Sequence, residues 1–375
     1  MPWNKCSKQP RIAMNDHPVW MSGPSNTLTR FGEIPLFREG LYSIAPDTYA
    51  WMVPNGSWGE TNIGLIDCGG ESVLIDTCWD LAFTQEMLQH FHGVLKNSPI
   101  EYVINTHGDG DHCWDNQLFA NTPIIATNAC IHSMHHYSPK SLTALTHAGR
   151  VLKRLPLGSV RKFAHYMSSM FAPYDFSDVQ ITPPTEGFNG QKCINVRGVD
   201  IVINEVGPGH TDGDAIVYVP DRKVAYAGDI LFIGATPVMW AGPVKNICDA
   251  LKQLLAFDAT VIVPGHGAFA QRKDVQNLLD YWEYLQEHLF AQSNNGMSSI
   301  EAARFVALSD DFNQRPFALW DSPERIITNA WNLYREWGID QTSLPGTLGT
   351  MNLLRHQATL AFDLNKASPR VMRHF

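Results

Sequence analysis

The segment Val103-Ile-Asn-Thr-His-Gly-Asp-Gly-Asp-His-Cys-Trp114 passes within a few positions from a buried-strand pattern to a knot of polar donors. Tyr102 to Ile104 is an apolar run of the kind that forms a short buried strand. It opens directly into His107, Asp109, Asp111 and His112, with Gly108 and Gly110 between them. Glycine lets the backbone turn where a β-carbon would clash, so side chains that would alternate along a strand can converge on one point. Imidazole and carboxylate together suit Zn, Mn or Fe, and the lack of thiolates argues against a closed structural zinc site. Gly-Asp-Gly-Asp also fits a solvent-facing turn or a calcium loop. Counted from Asp109, the twelfth position is Ala120, where an EF-hand needs a bidentate glutamate, so the calcium alternative fails.

Outward from this segment, every other polar candidate arrives in the same way. Leu74-Ile-Asp76-Thr77 places an acid at a strand end, Gly207-Pro-Gly-His210-Thr-Asp-Gly-Asp214 follows the apolar run Val199 to Val206, Gly228-Asp229 follows Lys223 to Ala227, and Val261-Ile-Val-Pro-Gly-His266-Gly267 closes the series. Any one of these could be a satisfied loop residue. Together they place the chemistry on one edge of the sheets, since all follow strands and His210, Asp229 and His266 also sit beside glycine.

The remaining pattern supplies the layers. Leu41 to Ile44, Tyr49 to Val53, Thr61 to Asp67 and Ser72 to Asp76, broken by Pro54-Asn55-Gly56 and Cys68-Gly69-Gly70, read as an antiparallel meander. Trp79 to Lys96 carries apolar residues at helical spacing, and Pro123 to Thr127 reads as a further strand. Residues 1–37 read as an irregular N-terminal arm and 38–270 as the main domain. Within it, residues 128–176, rich in Met, His, Phe, Leu and Tyr, are expected to be a helical insertion. Residues 271–375 are expected to be a helical C-terminal extension and tail, with Ser298 and Ser322 as helix caps. His132, His135 and His136 have the spacing of a helical metal face, a pattern more often found on ordinary helix surfaces.

At 375 residues, 44% hydrophobic and 17% charged, the chain has globular proportions, with nothing near the roughly 18 uninterrupted apolar residues of a membrane span. The polar stretch from Met1 to His17 has no apolar core of a secretory signal, and seven cysteines without a CxxC pair suit a reducing compartment, so a cytoplasmic protein is expected. A formal charge of −9 argues against a general hold on nucleic acid. The expected partner is a small molecule, with no membrane, and the helical C-terminal region is a candidate surface for a homo-oligomer.

Five ordered signals, Leu-Ile-Asp76-Thr, Thr-His107-x-x-x-Asp111-His112, Gly-His210-Thr-x-Gly, Gly-Asp229 and Pro-Gly-His266-Gly, resemble those of the metallo-β-lactamase superfamily across roughly Gly40 to Gly267. The resemblance implies an α/β fold, a four-layer αββα sandwich, with a two-metal cleft along one edge. By it, His107 and His210 would hold the first metal, Asp111, His112 and His266 the second, Asp229 would bridge them, and Asp76 would support the loop from behind. The chain departs from the family at Asp109, where the common His-x-His-x-Asp-His pattern has a second histidine. If Asp109 binds, the carboxylates of Asp109, Asp111 and Asp229 with one hydroxide balance two divalent ions by simple counting, which tilts the site toward Fe or Mn.

The leading expectation is a metal-dependent hydrolase that turns water on an ester, lactone or thioester, with Asp111 or Asp229 carrying the proton and two divalent ions (Zn, Fe or Mn) as cofactors. Met134, Met167, Met170, Phe171 and Tyr174 could line an apolar pocket or simply pack the core. Asp109 keeps a di-iron oxygenase or oxidase as the alternative, although no flavin-binding phosphate loop follows His266. A third reading is a non-catalytic binding protein with a degenerate site. Cys113, beside His112, is expected to be packed rather than reactive.

Overall fold

A computed structural model describes residues 18–134, 138–154, 158–339 and 347–364. The meander forms as expected: Gly40–Ala45, Thr48–Met52, Ile63–Asp67 and Ser72–Ile75 pair antiparallel in succession. The helix Leu81–Leu95 then crosses the sheet and returns the chain to Ile100–Ile104, which runs parallel to Ser72–Ile75. Ile124–Thr127 and Glu186–Phe188 extend this parallel half. Among the described residues the first sheet has eight strands lying in chain order. One of them corrects the expected irregular arm: Val19–Ser22 pairs with Gly40–Ala45, Trp20 opposite Tyr42. That strand is four residues long and nowhere fully buried, so its sequence carries little apolar alternation to read.

The second sheet has the order Val261–Val263, Val224–Tyr226, Ala215–Val219, Val199–Glu205 and Gln191–Val196. Period-two alternation sorts its residues and those of the first sheet into separate cores. Ile66, Val73, Ile75, Ile104 and Ile125 face Ile201, Ile203, Val217, Val224 and Val263 between the sheets. Their neighbours Leu65, Leu74 and Val103 point the other way, onto Phe83, Met87 and Phe91 of the helix Leu81–Leu95. Ile216, Tyr218, Ala225 and Ile262 cover the far side of the second sheet under Val244–Ala256 and Arg272–Asn294. Burying each such side chain contributes roughly 1.5–3 kcal/mol, which is why both sheets need helices outside them. The result is the αββα sandwich.

The insertion forms Asn128–Ser133, Pro139–Leu152 and Gly158–Met170. Of the three histidines with helical metal-face spacing, His132 lies in the last turn of the first of these helices and His135 and His136 lie outside the described residues. Beyond the second sheet, Ser298 caps Ser299–Leu308 in a capping box with Glu301. Ser322 does not cap: it takes φ 53 with no side-chain cap bond before the 3-10 turn Pro323–Arg325. Proline at the next position disfavours the right-handed helical region for Ser322. The helix Thr347–Asp363 folds back so that Leu354, Ala358 and Ala361 pack with Tyr166, Met167 and Met170 of the insertion. Lys162 and Arg304 meet Asp363 at 3.4 and 2.9 Å. Among the described residues no helix is long and apolar enough to cross a membrane.

Candidate metal centre

The strand ends deliver their polar residues to one place. His107 to His112 follow Ile100–Ile104, His210 lies between Val199–Glu205 and Ala215–Val219, Asp229 follows Val224–Tyr226 and His266 follows Val261–Val263. Asp229 is the hub: its carboxylate oxygens lie 3.9 Å from His107 Nε2, 3.2 Å from His112 Nε2, 3.3 Å from His210 Nε2 and 3.4 Å from His266 Nε2. His266 Nε2 also lies 3.4 Å from Asp111 Oδ2. The donors separate into two groups of three, His107, His210 and Asp229 in one, Asp111, His112 and His266 in the other.

All four imidazoles present Nε2 inward because Nδ1 is engaged behind. His112 Nδ1 meets Asp76 Oδ2 at 2.9 Å, His210 Nδ1 donates to the Val238 carbonyl at 2.7 Å, and His266 Nδ1 donates to the Glu60 carbonyl at 3.0 Å. Thr106 Oγ1 lies 3.0 Å from His107 Nδ1 and donates to Asp76 Oδ2, so its lone pair is left to accept the Nδ1 proton. Such outer contacts fix tautomer and ring direction and raise ligand basicity. Asp76 also accepts the Thr106 N–H at 2.6 Å, from a left-handed backbone at φ 64.

Charge is the reason these residues suit a cation. Burial drives the His107 imidazole well below its ordinary range, and its Nε2 has no hydrogen-bond partner. Burial works the same way on His112, yet Asp229, Asp76 and Asp111 outweigh it and hold that ring well above its ordinary value. Against the same penalty, Asp109 and Asp229 push His210 up to about 9, and Asp229 and Asp111 push His266 up to about 9. Despite their own burial, Asp229 is held well below the carboxylate range by His266 and His112, and Asp111 is held low by its bond to His266 and the charge of His112. The pocket therefore carries a surplus of negative charge that protons on three histidines neutralise. Divalent cations would displace those protons, and an inward, unpaired His107 nitrogen beside His210 and Asp229 is a donor set they take.

Asp109 stands apart from both groups of three. Its Oδ2 lies 3.2 Å from His210 Nε2, but its side chain is 24% exposed at the rim. Cys113 is buried, its thiol is pushed well up by burial, and it donates to the Asp109 carbonyl at 3.1 Å, a packed role. The expected pocket residues Phe171 and Tyr174 join Trp58, Trp79, Trp114 and Phe176 in an aromatic wall against the 107–114 loop, buried in the same cluster as Met134, Met167 and Met170; of these only Trp58 is half-buried. Several participants went unread in the sequence. Thr61 donates to Asp111 Oδ2 at 3.0 Å, and Phe232 stacks on His266 with centroids 5.3 Å apart. The loop carrying Val238 is itself held by Asn329 and Asn332 of the helix Ile326–Glu336, far away in sequence. Of the residues that support the donors from behind, Asp76 was read beforehand, and Thr106 lay within the opening motif without a role assigned to it.

Gly265 shows how tightly the hub is set. A β-carbon there would lie 1.9 Å from Asp229 Oδ1 and 2.8 Å from the Gly228 backbone. Gly265→Ala is expected to displace Asp229 and cut metal occupancy to under half, measured by plasma emission after gel filtration, with secondary structure retained by circular dichroism.

Comparisons with known proteins agree with this architecture. The chain is 25% identical over 217 residues to the 2,4-dinitroanisole O-demethylase subunit alpha of Nocardioides sp. (strain JS1661), covering 56% of this chain and 54% of that one. It is 28% identical over 123 residues to the hydroxyacylglutathione hydrolase of Bartonella tribocorum (strain CIP 105476 / IBS 506), covering 31% and 46%. The chain thus spans about half the length of the curated relatives it matches. Among solved structures, the stereoselective inverting sec-alkylsulfatase Pisa1 from Pseudomonas sp. superposes with a TM-score of 0.60 at 15% identity, covering 87% of this chain and 57% of that one. A metallo-beta-lactamase family protein from Thermus thermophilus gives 0.54 at 20% identity, covering 78% and 94%. Likeness at these identities speaks for the fold. Residues 56–266 match the family model of the metallo-beta-lactamase superfamily, and with the strand-end histidines and aspartates they make this chain a member of that superfamily.

Proposed function

We propose that the chain is a metal-dependent hydrolase acting on an ester, lactone or thioester of a small, partly apolar substrate. The observation that carries this reading is the convergence of four imidazole Nε2 atoms on Asp229 within 3.2–3.9 Å, beside an aromatic wall. His107, His210 and Asp229 would hold one divalent cation and Asp111, His112 and His266 a second. Cations so placed supply activated water at neutral pH and polarise a substrate oxygen. Asp111 or Asp229 would carry the proton to the leaving group; Thr61 donates at 3.0 Å to Asp111 Oδ2, the oxygen that also lies 3.4 Å from His266 Nε2, and so holds that carboxylate in place. Trp58, Trp79, Phe171 and Tyr174 would exclude water and seat the apolar portion of the substrate. The hydrolase named among the curated relatives supports this choice.

One observation favours an oxidative second reading. Asp109 sits within 3.2 Å of His210 Nε2, where it could add a third carboxylate and make the site more attractive to iron. Purification from zinc- and iron-supplemented cultures, followed by metal analysis, a panel of esters, lactones and thioesters, and dioxygen uptake, separates the two. Zinc or manganese with ester cleavage supports the hydrolase. Stoichiometric iron with substrate-dependent oxygen uptake supports the oxygenase. Asp109→Ala is expected to lower occupancy of the first position while leaving the second filled; wild-type metal content in that variant would remove Asp109 from the ligand set.

A further inference from the structure

We propose that Arg325 binds an anionic oxygen group of the substrate, a carboxylate, sulfate or phosphate, at the wall of the metal pocket. The word substrate rests on the hydrolase reading; the binding itself does not. Arg325 closes the 3-10 turn Pro323–Arg325 in the C-terminal region and is only 4% exposed. Its Nη1 donates to the Thr236 carbonyl at 2.9 Å, while its Nε has no partner. Among the described residues no carboxylate lies within 4.0 Å of its guanidinium, although nearer-surface arginines such as Arg304 and Arg315 each have one. Glu324 does not supply the counter-charge: it turns to the Tyr166 hydroxyl at 2.8 Å, and burial keeps it protonated near neutrality, with a pKa of about 8.

The position of this charge gives it a use. The guanidinium carbon lies 5.6 Å from the Phe232 ring centroid and 5.8 Å from that of Trp58. Phe232 stacks flat on His266 and meets His210 edge-on at 5.8 Å, and Trp58 meets Phe171 at 5.7 Å. Arg325 therefore sits one ring away from two metal-ligand candidates and touches the aromatic wall. Around it, Trp58 Nε1, Thr236 Oγ1 and Ser322 Oγ are buried donors without hydrogen-bond partners. Cation–π contacts and one carbonyl only partly offset the cost of burying a charge with no carboxylate beside it. A planar guanidinium whose Nε–H has no partner, in a neighbourhood that holds further unpartnered polar atoms, matches an oxyanion that arrives with the ligand. The pocket then selects a molecule with an apolar body and a negatively charged end.

The test uses the full chain. Chelator-treated protein, free of competing metal binding, is titrated by calorimetry with succinate, sulfate and phosphate at ionic strength fixed by chloride. Saturable binding of at least one is expected in wild type, and the three arms identify the group. Arg325→Gln keeps a donor for Thr236 and removes the charge, so its affinity should fall about tenfold or more, whereas Arg325→Lys, which keeps the charge without the planar fork, should lose less than Arg325→Gln. Trp58→Phe, which leaves Arg325 on Thr236 but removes the indole N–H, is the second variant should Arg325→Gln melt early, and it should weaken binding measurably. With metals restored, the kcat/KM ratio for mono-4-nitrophenyl succinate over 4-nitrophenyl acetate should drop about tenfold in Arg325→Gln, the change falling in KM. Anion binding that depends on Arg325 without cleavage of any ester would uphold the anion site and remove the hydrolase. No saturable binding above chloride in wild type, or undiminished affinity in a folded Arg325→Gln, overturns the proposal.

Discussion

Asp229→Asn should remove nearly all activity, with kcat/KM down by roughly three orders of magnitude or more, and reduce bound metal to less than half of the wild-type content. The size follows from the hub geometry. Asp229 lies within 3.9 Å of all four histidine Nε2 atoms, so no other single change touches both groups of donors. Asparagine keeps the shape, which separates loss of charge from loss of packing. It leaves the cluster with a neutral amide where the surplus negative charge was concentrated, and the electrostatic case for holding cations weakens on both sides at once. Metal content by plasma emission and initial rates on the best ester of the panel provide the check. Full metal occupancy with activity within about threefold of wild type would show that Asp229 is a structural acid and would end the bridging assignment.

The chelator-treated protein should lose stability as pH rises from 6 to 9, while the metal-loaded protein should not follow it. The sign comes from the direction of each shift. His210 and His266 have folded values of about 9 against an ordinary 6.5, so their contribution is whole below pH 6.5 and is lost as pH climbs through 9. Glu60 and Glu324, raised by burial to about 8 from 4.5, act in the same direction, because ionising them inside the fold costs more than ionising them in the open chain. Asp111 and Asp229 are depressed, so their contribution disappears only as pH falls below the ordinary 3.8. Metal binding inverts the histidine part, since the ligands must be deprotonated and affinity grows with pH. Scanning fluorimetry should show the Tm of the chelated protein at least about 5 °C lower at pH 9 than at pH 6. The gap to the loaded protein should widen over the same range. A gap independent of pH would mean that these histidines do not exchange protons for metal.

How much of this was legible before folding differs from residue to residue. His107, Asp111, His112, His210, Asp229 and His266 could be picked out because each follows an apolar run and sits within two residues of a glycine, a local signal that survives in one dimension. The meander and the helix Leu81–Leu95 were readable for the same reason, since period two and period 3.6 are properties of neighbouring residues. The strand Val19–Ser22 was hidden because an exposed edge has little alternation to show. Ser322 was misread as a cap because composition marks a turn without fixing its φ.

By itself, the sequence determined the kind of ligand, the order in which the ligands arrive and the layered sandwich that carries them, because those depend on short-range periodicity and on glycine beside polar side chains. The tertiary structure alone decided that Asp229 stands at the centre with Asp109 out at the rim, and that every imidazole turns Nε2 inward. It also decided that Arg325, far beyond His266 in the chain, lies one ring from it. These are facts of distance between segments remote in the chain. They are set by how the two sheets close on their common core and how the C-terminal helices cover the second one, and no local pattern encodes them.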